Sequence, residues 1–310
     1  MKTSTDVIIC IATYNGEKYI REQLNSLLSQ TYLHWKAIIS DDGSTDATLS
    51  IVNSYCRDYP EKFSLVENPN KHKGAQCNFF FLLSKAHEKY IMFCDQDDVW
   101  LNDKVELTLE EMLRNESVRG KNSPMLVFTD LQPVSAQLRP ICSSYMQYQK
   151  LQASRVALKQ LLVENVVTGC TVMINQALKQ KAIVPENMDT IVMHDWWLAL
   201  VAAQFGSLHF LDRATILYRQ HEHNAIGAAK SSGFAFVFRH AFRPGNIRAS
   251  ILRKKQQAKT FLAVYKHELP TPTCKMLEEF QKSHSGPWFY VHNRMLMCGI
   301  MRNVGLLLLG

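Results

Sequence analysis

The sequence predicts an α/β fold: a Rossmann-like, mainly parallel sheet flanked by helices, with a helical C-terminal extension. Two observations predict it. Short apolar runs alternate with segments of helical periodicity through the first half of the chain, which is the rhythm of βαβ units. Three of these apolar runs end in polar, turn-forming clusters, at residues 12–17, 40–46 and 94–98. Because ligands bind outside the carboxyl ends of the strands in an open parallel sheet, the three clusters predict one shared site.

The apolar runs predict the strands of this sheet. They lie at residues 7–11, 35–39, 63–66, 90–93, 125–130 and 167–174. Apolar residues at helical spacing predict a helix after each of the first four strands. These helices begin after residue 15 and cover residues 47–55, 76–87 and 101–113. A stretch of small residues at 228–233 predicts the boundary between a first domain, 1–228, and a basic helical region, 229–310.

Composition favours a folded protein with one large domain, or with a domain and an appendage. The chain has 310 residues, of which 46% are apolar, so a sizeable core is available and disorder is not expected. Its eight cysteines form no Cys-x-x-Cys pair, which favours reduced structural thiols over a disulfide framework or a zinc site. The N-terminus leads straight into the first predicted strand, without a signal peptide. These features predict a cytosolic protein.

The net charge of +7 is concentrated in one span of the chain. Residues 223–267 contain no Asp or Glu, and they hold nine Lys and Arg residues interleaved with apolar ones. This pattern is typical of an amphipathic surface that lies on an anionic membrane, and an ordinary solvated basic helix is the alternative. No recognised nucleic-acid motif accompanies the charge, so nucleic-acid binding is not predicted.

The C-terminal tail, residues 288–310, is apolar but carries Arg294 and Arg302. Its longest uncharged run is shorter than the roughly 20 residues that a membrane-spanning helix needs. Two interpretations stay open. The tail is either an interfacial helix with its aromatic residues at the level of the lipid headgroups, or a core helix that packs back on the first domain.

The cluster after the fourth strand places three carboxylates, Asp95, Asp97 and Asp98, within four residues. Carboxylates this close repel one another, and ionised side chains are costly to bury without a partner. A divalent cation such as Mg²⁺ or Mn²⁺ is the natural partner, because it takes hard oxygen ligands and commonly uses one or two carboxylates with substrate phosphates. The alternative is an acidic surface turn that caps the following helix.

Five blocks of sequence, in this order, resemble the family 2 glycosyltransferases of the GT-A fold. They are Ala-Thr-Tyr-Asn-Gly at 12–16, Asp-Asp-Gly-Ser-Thr-Asp at 41–46, Asp-Gln-Asp-Asp at 95–98, His-Asp-Trp-Trp at 194–197, and Tyr-Arg-Gln-His at 218–221 followed by Asn-Ala at 224–225. The last block resembles the bacterial rhamnosyltransferase branch of the family. The resemblance covers about residues 5–228, and each block alone would be weak evidence.

The resemblance implies a role for each acid of the site. Asp97 is the direct ligand of a Mg²⁺ or Mn²⁺ cofactor, and Asp95 faces the ribose or reaches the metal through water. Asp98 serves in the place of either, or caps the next helix. His221 contacts the metal or the diphosphate, and Asp195 is the catalytic base.

Asp195 also has a physical argument in its favour. It lies beside two indoles at the start of a predicted helix, and their bulk should desolvate the carboxylate and raise its pKa toward a value useful for a base. The alternative is an acid that merely complements the helix dipole. His194 stands where the family usually carries a glutamate, and it is predicted to orient the acceptor or the leaving group.

The first two strand ends are implied to hold the nucleoside. The residues assigned to nucleotide-sugar binding are Ala12, Tyr14, Glu17, Asp42, Asn78, Asp95, Gln96 and Arg219. Tyr14 is expected to stack on a pyrimidine. Asp42 is expected to accept a hydrogen bond from the ring N–H, which uracil and thymine both offer, so Asp42 does not distinguish them. Asp41 is either structural or functional.

The implied function is an inverting glycosyltransferase on the inner face of the plasma membrane. Its donor is expected to be dTDP-L-rhamnose, with UDP- and GDP-sugars left open. Its acceptor is expected to be a hydroxyl of a bacterial surface polysaccharide or a lipid-linked glycan. One alternative is a sugar nucleotidyltransferase, although the glycine-rich phosphate loop that usually opens such enzymes is absent. The other is a non-catalytic protein of the same fold that binds nucleotide sugars or membranes.

Overall fold

A computed structural model describes residues 6–69, 73–221, 244–282 and 286–309. Within these residues one sheet contains the strands β1 (Val7–Thr13), β2 (Trp35–Asp41), β3 (Phe63–Leu65), β4 (Tyr90–Cys94), β5 (Val99–Trp100), β6 (Met125–Ser135), β7 (Val172–Asn175) and β8 (Ser207–Gln220). The strand order is β3-β2-β1-β4-β7-β6-β8-β5. The neighbours β3, β2, β1 and β4 run parallel, and β7 is inserted antiparallel between β4 and β6. The predicted fold class is confirmed.

Helices cover both faces of the sheet. They are α1 (Ile20–Leu28), α2 (Thr48–Asp58), α3 (Gly74–Lys85), α4 (Lys104–Arg119), α5 (Tyr145–Tyr148), α6 (Leu158–Leu161), α7 (Gln176–Lys181), α8 (His194–Phe205), α9 (Pro244–Tyr265), α10 (Thr271–Gln281), α11 (Gly286–His292) and α12 (Ile300–Leu309). The period of two along β1 divides the core, because Ile8 and Cys10 join one apolar cluster while Val7 and Ile9 join the other. No helix of the described part of the chain is long and apolar enough to cross a bilayer.

Strand register places the predicted polar clusters together. Thr13 at the end of β1 pairs with Asp41 at the end of β2, and Ile11 pairs with Cys94 at the end of β4. The three loops that follow these strands therefore leave the sheet at the same edge, as the parallel arrangement predicts.

Three predicted elements differ from the structure. Residues 169–171 form a 3-10 turn rather than strand, because the backbone and side chain of Thr171 both donate to the Thr168 carbonyl (2.9 and 2.6 Å). The helix expected from residue 101 begins at Lys104, because the Leu101 amide instead donates to Thr215 (2.9 Å). The strand expected over 125–130 continues to Ser135.

The described C-terminal helices pack on the sheet domain. On α9, the Phe261 ring lies 5.7 Å from the Trp197 ring of α8, and the Tyr265 ring lies 4.9 Å from Phe205. Arg302 of α12 pairs with the buried Glu164 (2.8 Å). The predicted domain boundary at 228–233 and the first part of the basic span lie outside the described residues, so the division at 228 stays a prediction.

Candidate active site

The acidic loop that follows β4 is held by hydrogen bonds to buried groups of the protein. Asp98 is fully buried, and one of its carboxylate oxygens accepts a hydrogen bond from the Arg219 amide (3.0 Å). Its other oxygen is buried without a hydrogen-bond partner among the described residues. One ligand atom each of Asp95, Asp98 and Cys170 lie within 4.8 Å of one another. The loop therefore concentrates acidic groups at one point of the sheet edge.

Burial and mutual repulsion oppose ionisation in this loop. Desolvation, with added repulsion from Asp97 and then Asp195, raises the pKa of Asp95 to about 7. Burial together with Asp97 and Asp95 raises the pKa of Asp98 well above its ordinary value. Carboxylates held in this way are stabilised in the ionised form by a bound cation, so their oxygens form a donor set that suits one.

Arg219 holds the acidic loop through hydrogen bonds of its buried side chain. Its side chain is almost completely buried, and its Nε donates to the Asp97 carbonyl (2.7 Å). The guanidinium also pairs with Glu22 of α1, donates to the Ala136 carbonyl and lies 4.6 Å from the Tyr19 ring centroid. The described contacts of Arg219 are thus made to protein groups, and its predicted contact to the donor stays a prediction.

His221 lies beside the predicted metal ligand. Its Nε2 is 2.7 Å from a carboxylate oxygen of Asp97, and its ring stacks on Tyr19 with the centroids 4.8 Å apart. The structure therefore brings together two residues that are 124 positions apart in the sequence and that were both assigned to the metal.

Asp195 lies in the first turn of α8 and is 7% exposed. One of its oxygens accepts the Trp196 amide (2.7 Å), and the Gly169 amide also stabilises the carboxylate. Burial outweighs these hydrogen bonds and raises the pKa of Asp195 to about 7. Because Asp195 also contributes to the raised pKa of Asp95, the two carboxylates are close enough to interact across the site. A carboxyl with a pKa near 7 suits a general base.

His194 lies in an apolar cage rather than in an open site. Its ring stacks on Phe79 with centroids 4.2 Å apart and lies 5.0 Å from Phe93. Neither ring nitrogen has a hydrogen-bond partner among the described residues, and burial lowers the pKa of His194 to about 3. His194 is therefore neutral at physiological pH, and its predicted role toward the acceptor or leaving group stays a prediction.

The second strand end contains two aspartates with different surroundings. Asp41 organises its own turn, because it accepts the amides of Gly43 (3.0 Å) and Ser44 (2.7 Å). Asp42 instead accepts the amides of Lys73 (3.2 Å) and Gly74 (2.8 Å) at the start of α3. These contacts account for Asp41 as a turn residue and fix Asp42 at the edge of the predicted nucleoside pocket.

The first strand end presents one exposed aromatic ring. Tyr14 is 51% exposed, and the Gln96 amide clamps its backbone by accepting from its N–H (2.9 Å) and donating to its carbonyl (2.8 Å). Glu17 accepts the Ala47 amide before α2 (2.8 Å), and Asn78 donates to the Ser40 carbonyl (2.8 Å). Gln96, Glu17 and Asn78, which were assigned to nucleotide-sugar binding, therefore make contacts within the protein. Tyr14 presents the exposed ring for stacking on a base.

Cys170 and Tyr145 were not predicted to belong to this region, and Tyr218 was given no role although it opens the fifth block. Cys170 lies in the turn before β7, next to Asp95 and Asp98. Tyr145 and Tyr218 pack edge to face with centroids 6.0 Å apart, and Asp195 contributes to the raised pKa of Tyr145. The inserted antiparallel strand β7 brings Cys170 to the site, and no local pattern in the sequence indicates that insertion.

The chain is similar to known glycosyltransferases. Residues 8–127 match the model of "Glycosyl transferase family 2". The chain is 32% identical over 227 residues to the dTDP-rhamnosyl transferase RfbG of Shigella flexneri, which is 70% of this chain and 74% of that protein. It is 33% identical over 109 residues to the UDP-Glc:alpha-D-GlcNAc-diphosphoundecaprenol beta-1,3-glucosyltransferase WfgD of Escherichia coli, which is 35% of this chain and 42% of that protein.

Two solved structures share the fold. The S. aureus TarS 1-349 structure in complex with UDP-GlcNAc aligns with a TM-score of 0.55 at 18% identity, and covers 92% of this chain and 80% of that one. The mannosyltransferase PcManGT of Pyrobaculum calidifontis, in complex with GDP-Man and Mn²⁺, aligns with a TM-score of 0.58 at 15% identity, and covers 94% and 72%. The fold and the acidic sheet edge define a glycosyltransferase with the GT-A fold. The chain belongs to glycosyltransferase family 2.

Proposed function

We propose that this enzyme inverts the anomeric carbon as it transfers L-rhamnose from dTDP-L-rhamnose to a hydroxyl of a bacterial surface polysaccharide or lipid-linked oligosaccharide. The observation that carries the chemistry is the buried Asp195, whose pKa is about 7 and which faces the acidic loop. The similarity to the dTDP-rhamnosyl transferase RfbG over 74% of that protein supports dTDP-rhamnose as the donor. The similarity to WfgD, whose acceptor is an alpha-D-GlcNAc-diphosphoundecaprenol, supports a lipid-linked glycan as the acceptor.

The reaction is a single displacement. Asp195 takes the proton of the acceptor hydroxyl while that oxygen bonds to C1 of the rhamnose. The bond from C1 to the diphosphate oxygen breaks on the opposite face, and dTDP leaves with the electron pair. One displacement inverts the β linkage of the donor, so the product is an α-L-rhamnoside.

A divalent cation, Mg²⁺ or Mn²⁺, is the proposed cofactor. Its proposed ligands are Asp97 and Asp95, which offer hard oxygens, and His221, which offers an imidazole nitrogen beside Asp97. The ligand atoms that lie within 4.8 Å of one another in the described residues are those of Asp95, Asp98 and Cys170, so Asp98 is a further candidate ligand. The repulsion that raises the pKa of Asp95 is relieved by a positive charge. When bound, the cation neutralises the diphosphate as it becomes the leaving group.

The nucleoside is proposed to bind between the first two strand ends. The exposed Tyr14 ring stacks on the base, and Asp42 accepts its ring N–H. The Gln96 clamp on the Tyr14 backbone preorganises the ring, which lowers the entropy lost on binding. Ala12 and Asn78 complete the wall. Glu17 joins the first loop to the second through the Ala47 amide, and Arg219 joins α1 to the acidic loop.

A panel of nucleotide sugars tests the donor. With Mn²⁺ present, dTDP-L-rhamnose is expected to raise the melting temperature more than UDP- or GDP-sugars, because a ligand that binds only the folded state stabilises it by about 2.7 kcal/mol at 100 times its Kd. Asp42→Ala should lose most of this shift. A larger shift with a UDP-sugar than with dTDP-L-rhamnose would contradict the assigned donor.

We infer further that the C-terminal helices attach the enzyme to the inner face of the plasma membrane. Trp288 and Val291, one turn apart on α11, are 77% and 46% exposed. Val304 and Leu308, one turn apart on α12, are 43% and 76% exposed. The two helices contact each other, and their other faces are buried in the core. The tail thus has a packed face and an exposed apolar face, and the exposed face supports the membrane inference.

Charge and redox state support this inference. The exposed Arg294 follows α11, and the sequence from 223 to 267 supplies further cations without an acid, of which Lys254 and Lys255 are buried on α9. Basic residues beside an apolar surface favour anionic lipid. All eight cysteines are free thiols, which suits the reducing cytoplasmic side of the membrane.

Vesicle binding tests the membrane inference. The enzyme is expected to co-sediment with phosphatidylglycerol vesicles at low salt and to dissociate as salt rises, because screening weakens the electrostatic attraction. Trp288→Glu with Leu308→Glu should abolish binding, whereas Val118→Glu, at an 83% exposed position of α4, should not. Equal binding to neutral and anionic vesicles would contradict the electrostatic account. Point variants are preferable to truncation, since α9 packs on α8.

A further inference from the structure

The loop between α7 and α8, residues 182–193, leads directly into Asp195 and is held by two glutamines from opposite sides. We call it the base loop. Its position decides where the Asp195 carboxylate lies, because α8 begins at His194. The two glutamines come from helices that are separated by about 180 residues of sequence, one next to the nucleoside end of the site and one in the C-terminal region.

Gln76 holds the base loop from the nucleoside side. Its Nε2 donates to the carbonyl of Met188 (3.0 Å) and lies 3.4 Å from that of Ile191. Gln76 belongs to the first turn of α3, whose first amide, that of Gly74, donates to Asp42 (2.8 Å). One helical turn therefore contacts both the proposed nucleoside contact and the base loop.

Gln257 holds the base loop from the C-terminal side. Its side chain is 1% exposed, and its Oε1 accepts the amide of Val192 (2.8 Å), three residues before Asp195. Without this acceptor the partly buried Val192 amide would lose the hydrogen bond that joins the base loop to α9, which weakens the hold on the loop.

Gln257 is one member of a buried strip on α9 that faces the start of α8. The strip continues at helical spacing with Lys254, Phe261 and Tyr265. The Lys254 ammonium lies 5.9 Å from the ring of Trp196, the neighbour of Asp195. The Tyr265 hydroxyl donates to the Lys181 carbonyl (2.9 Å) and accepts the Ile183 amide (3.0 Å). The strip therefore contacts both ends of the base loop.

We propose that Gln257 is a positioning residue for the catalytic base. In this proposal α9 of the C-terminal region contributes to catalysis by holding the base loop. The inference rests on the proposed role of Asp195. A displacement of about 1 Å at a reacting group can cost about 10²-fold in rate, so a loosened base loop should lower kcat strongly. Donor binding should be unaffected, because a substitution of Gln257 leaves unchanged the contacts of Gln76 and Gly74 that hold the nucleoside end.

The test compares two adjacent glutamines in the full-length enzyme. Gln257→Met keeps the length of the side chain but removes the acceptor of the Val192 amide. Gln256→Met makes the same change at the exposed neighbouring position. We expect kcat to fall about 10- to 100-fold in Gln257→Met, with the donor Kd from calorimetry within about twofold of the wild type. Gln256→Met should match the wild type in both.

A conservative variant guards against a folding defect. Gln257→Glu keeps both the length and an acceptor oxygen, so it should retain more of the wild-type kcat than Gln257→Met does. The inference is overturned if a folded Gln257→Met keeps the wild-type kcat, or if its donor affinity falls as much as its kcat. If Gln257→Met does not fold, a folded Gln257→Glu with kcat near wild type supports the inference, and one with kcat lowered 100-fold overturns it.

Asp195→Asn, measured in parallel, separates this inference from the proposed function. If Asp195→Asn is nearly inactive while Gln257→Met is unchanged, only the positioning role fails. If Asp195→Asn stays active, the proposed base itself is wrong. In the double variant, Gln257→Met should add little to the loss caused by Asp195→Asn, because residues that act through one group are not additive.

Discussion

Replacing Asp195 by asparagine is expected to lower kcat by about 10²- to 10⁴-fold, the usual loss when a general base is removed. Asparagine keeps the size of the side chain and can still accept the Trp196 amide, but it cannot take the acceptor's proton. The donor Kd should change little, because the nucleotide is proposed to bind at Asp42 and Asp97. Product release measured over time gives kcat, and calorimetry gives the Kd.

A stability measurement is the control for this variant. Burial raises the pKa of Asp195 from 3.8 to about 7, so ionising it in the folded state costs stability as the pH rises through that range. Asp195→Asn should therefore unfold no more easily than the wild type at pH 8. A variant that is folded, binds donor and keeps more than about a tenth of the wild-type kcat would show that Asp195 is not the base.

Removing the metal is expected to abolish activity, and Asp97→Ala should have nearly the same effect. Excess EDTA should stop transfer, and Mn²⁺ or Mg²⁺ should restore it in the wild type. Because Asp97 is proposed as a direct ligand, its loss should exceed the roughly 10- to 100-fold effect typical of outer-shell partners. His221→Ala should weaken metal affinity while leaving measurable activity at high metal concentration.

Asp103→Ala is the matched control for Asp97→Ala. Asp103 lies just before α4, and its nearest cation, Arg213, is 3.7 Å away on an exposed part of the surface. Exposed pairs of this kind contribute little to stability, so the variant should behave as the wild type. Full activity of the wild-type enzyme in EDTA would contradict the metal proposal.

Local patterns were sufficient to predict the half of the fold that forms the nucleoside end. Strands β1 and β4 are continuous apolar runs because both of their faces are buried, whereas β2 exposes Lys36 on one face, and each of the three ends in a polar turn. The raised pKa of Asp195 was also predicted from its apolar neighbours in the sequence, and burial of the carboxylate is its cause in the structure.

Contacts between distant residues could not be predicted in the same way. The strands β5 and β8 were not predicted, because β8 mixes polar and apolar residues and is held by pairing with β6 and β5. An arginine in a binding motif suggests an anion, yet Arg219 is buried among protein carbonyls and Glu22. The cage around His194 comes from Phe79 and Phe93, which are more than 100 residues away.

The C-terminal region is a second case in which the sequence does not predict contacts between distant residues. Its charge and apolar residues suggested a separate membrane-binding part, and they gave no indication that α9 also contacts the base loop. The contact depends on one buried amide, Gln257, whose exposed neighbour Gln256 has the same side chain. Sequence alone does not distinguish the two glutamines, because only the packing of α9 decides which of them faces α8.

The pH dependence of kcat/KM at saturating metal tests the central claim most directly. A bound cation should keep Asp95 ionised, so the acid side of the profile reports Asp195. The wild-type rate is predicted to fall about tenfold per pH unit below about 7, because a protonated Asp195 cannot accept the acceptor's proton. Asp195→Asn should be slow and independent of pH in this range. A profile in which Asp195→Asn keeps the same fall below pH 7 would show that another group is the base.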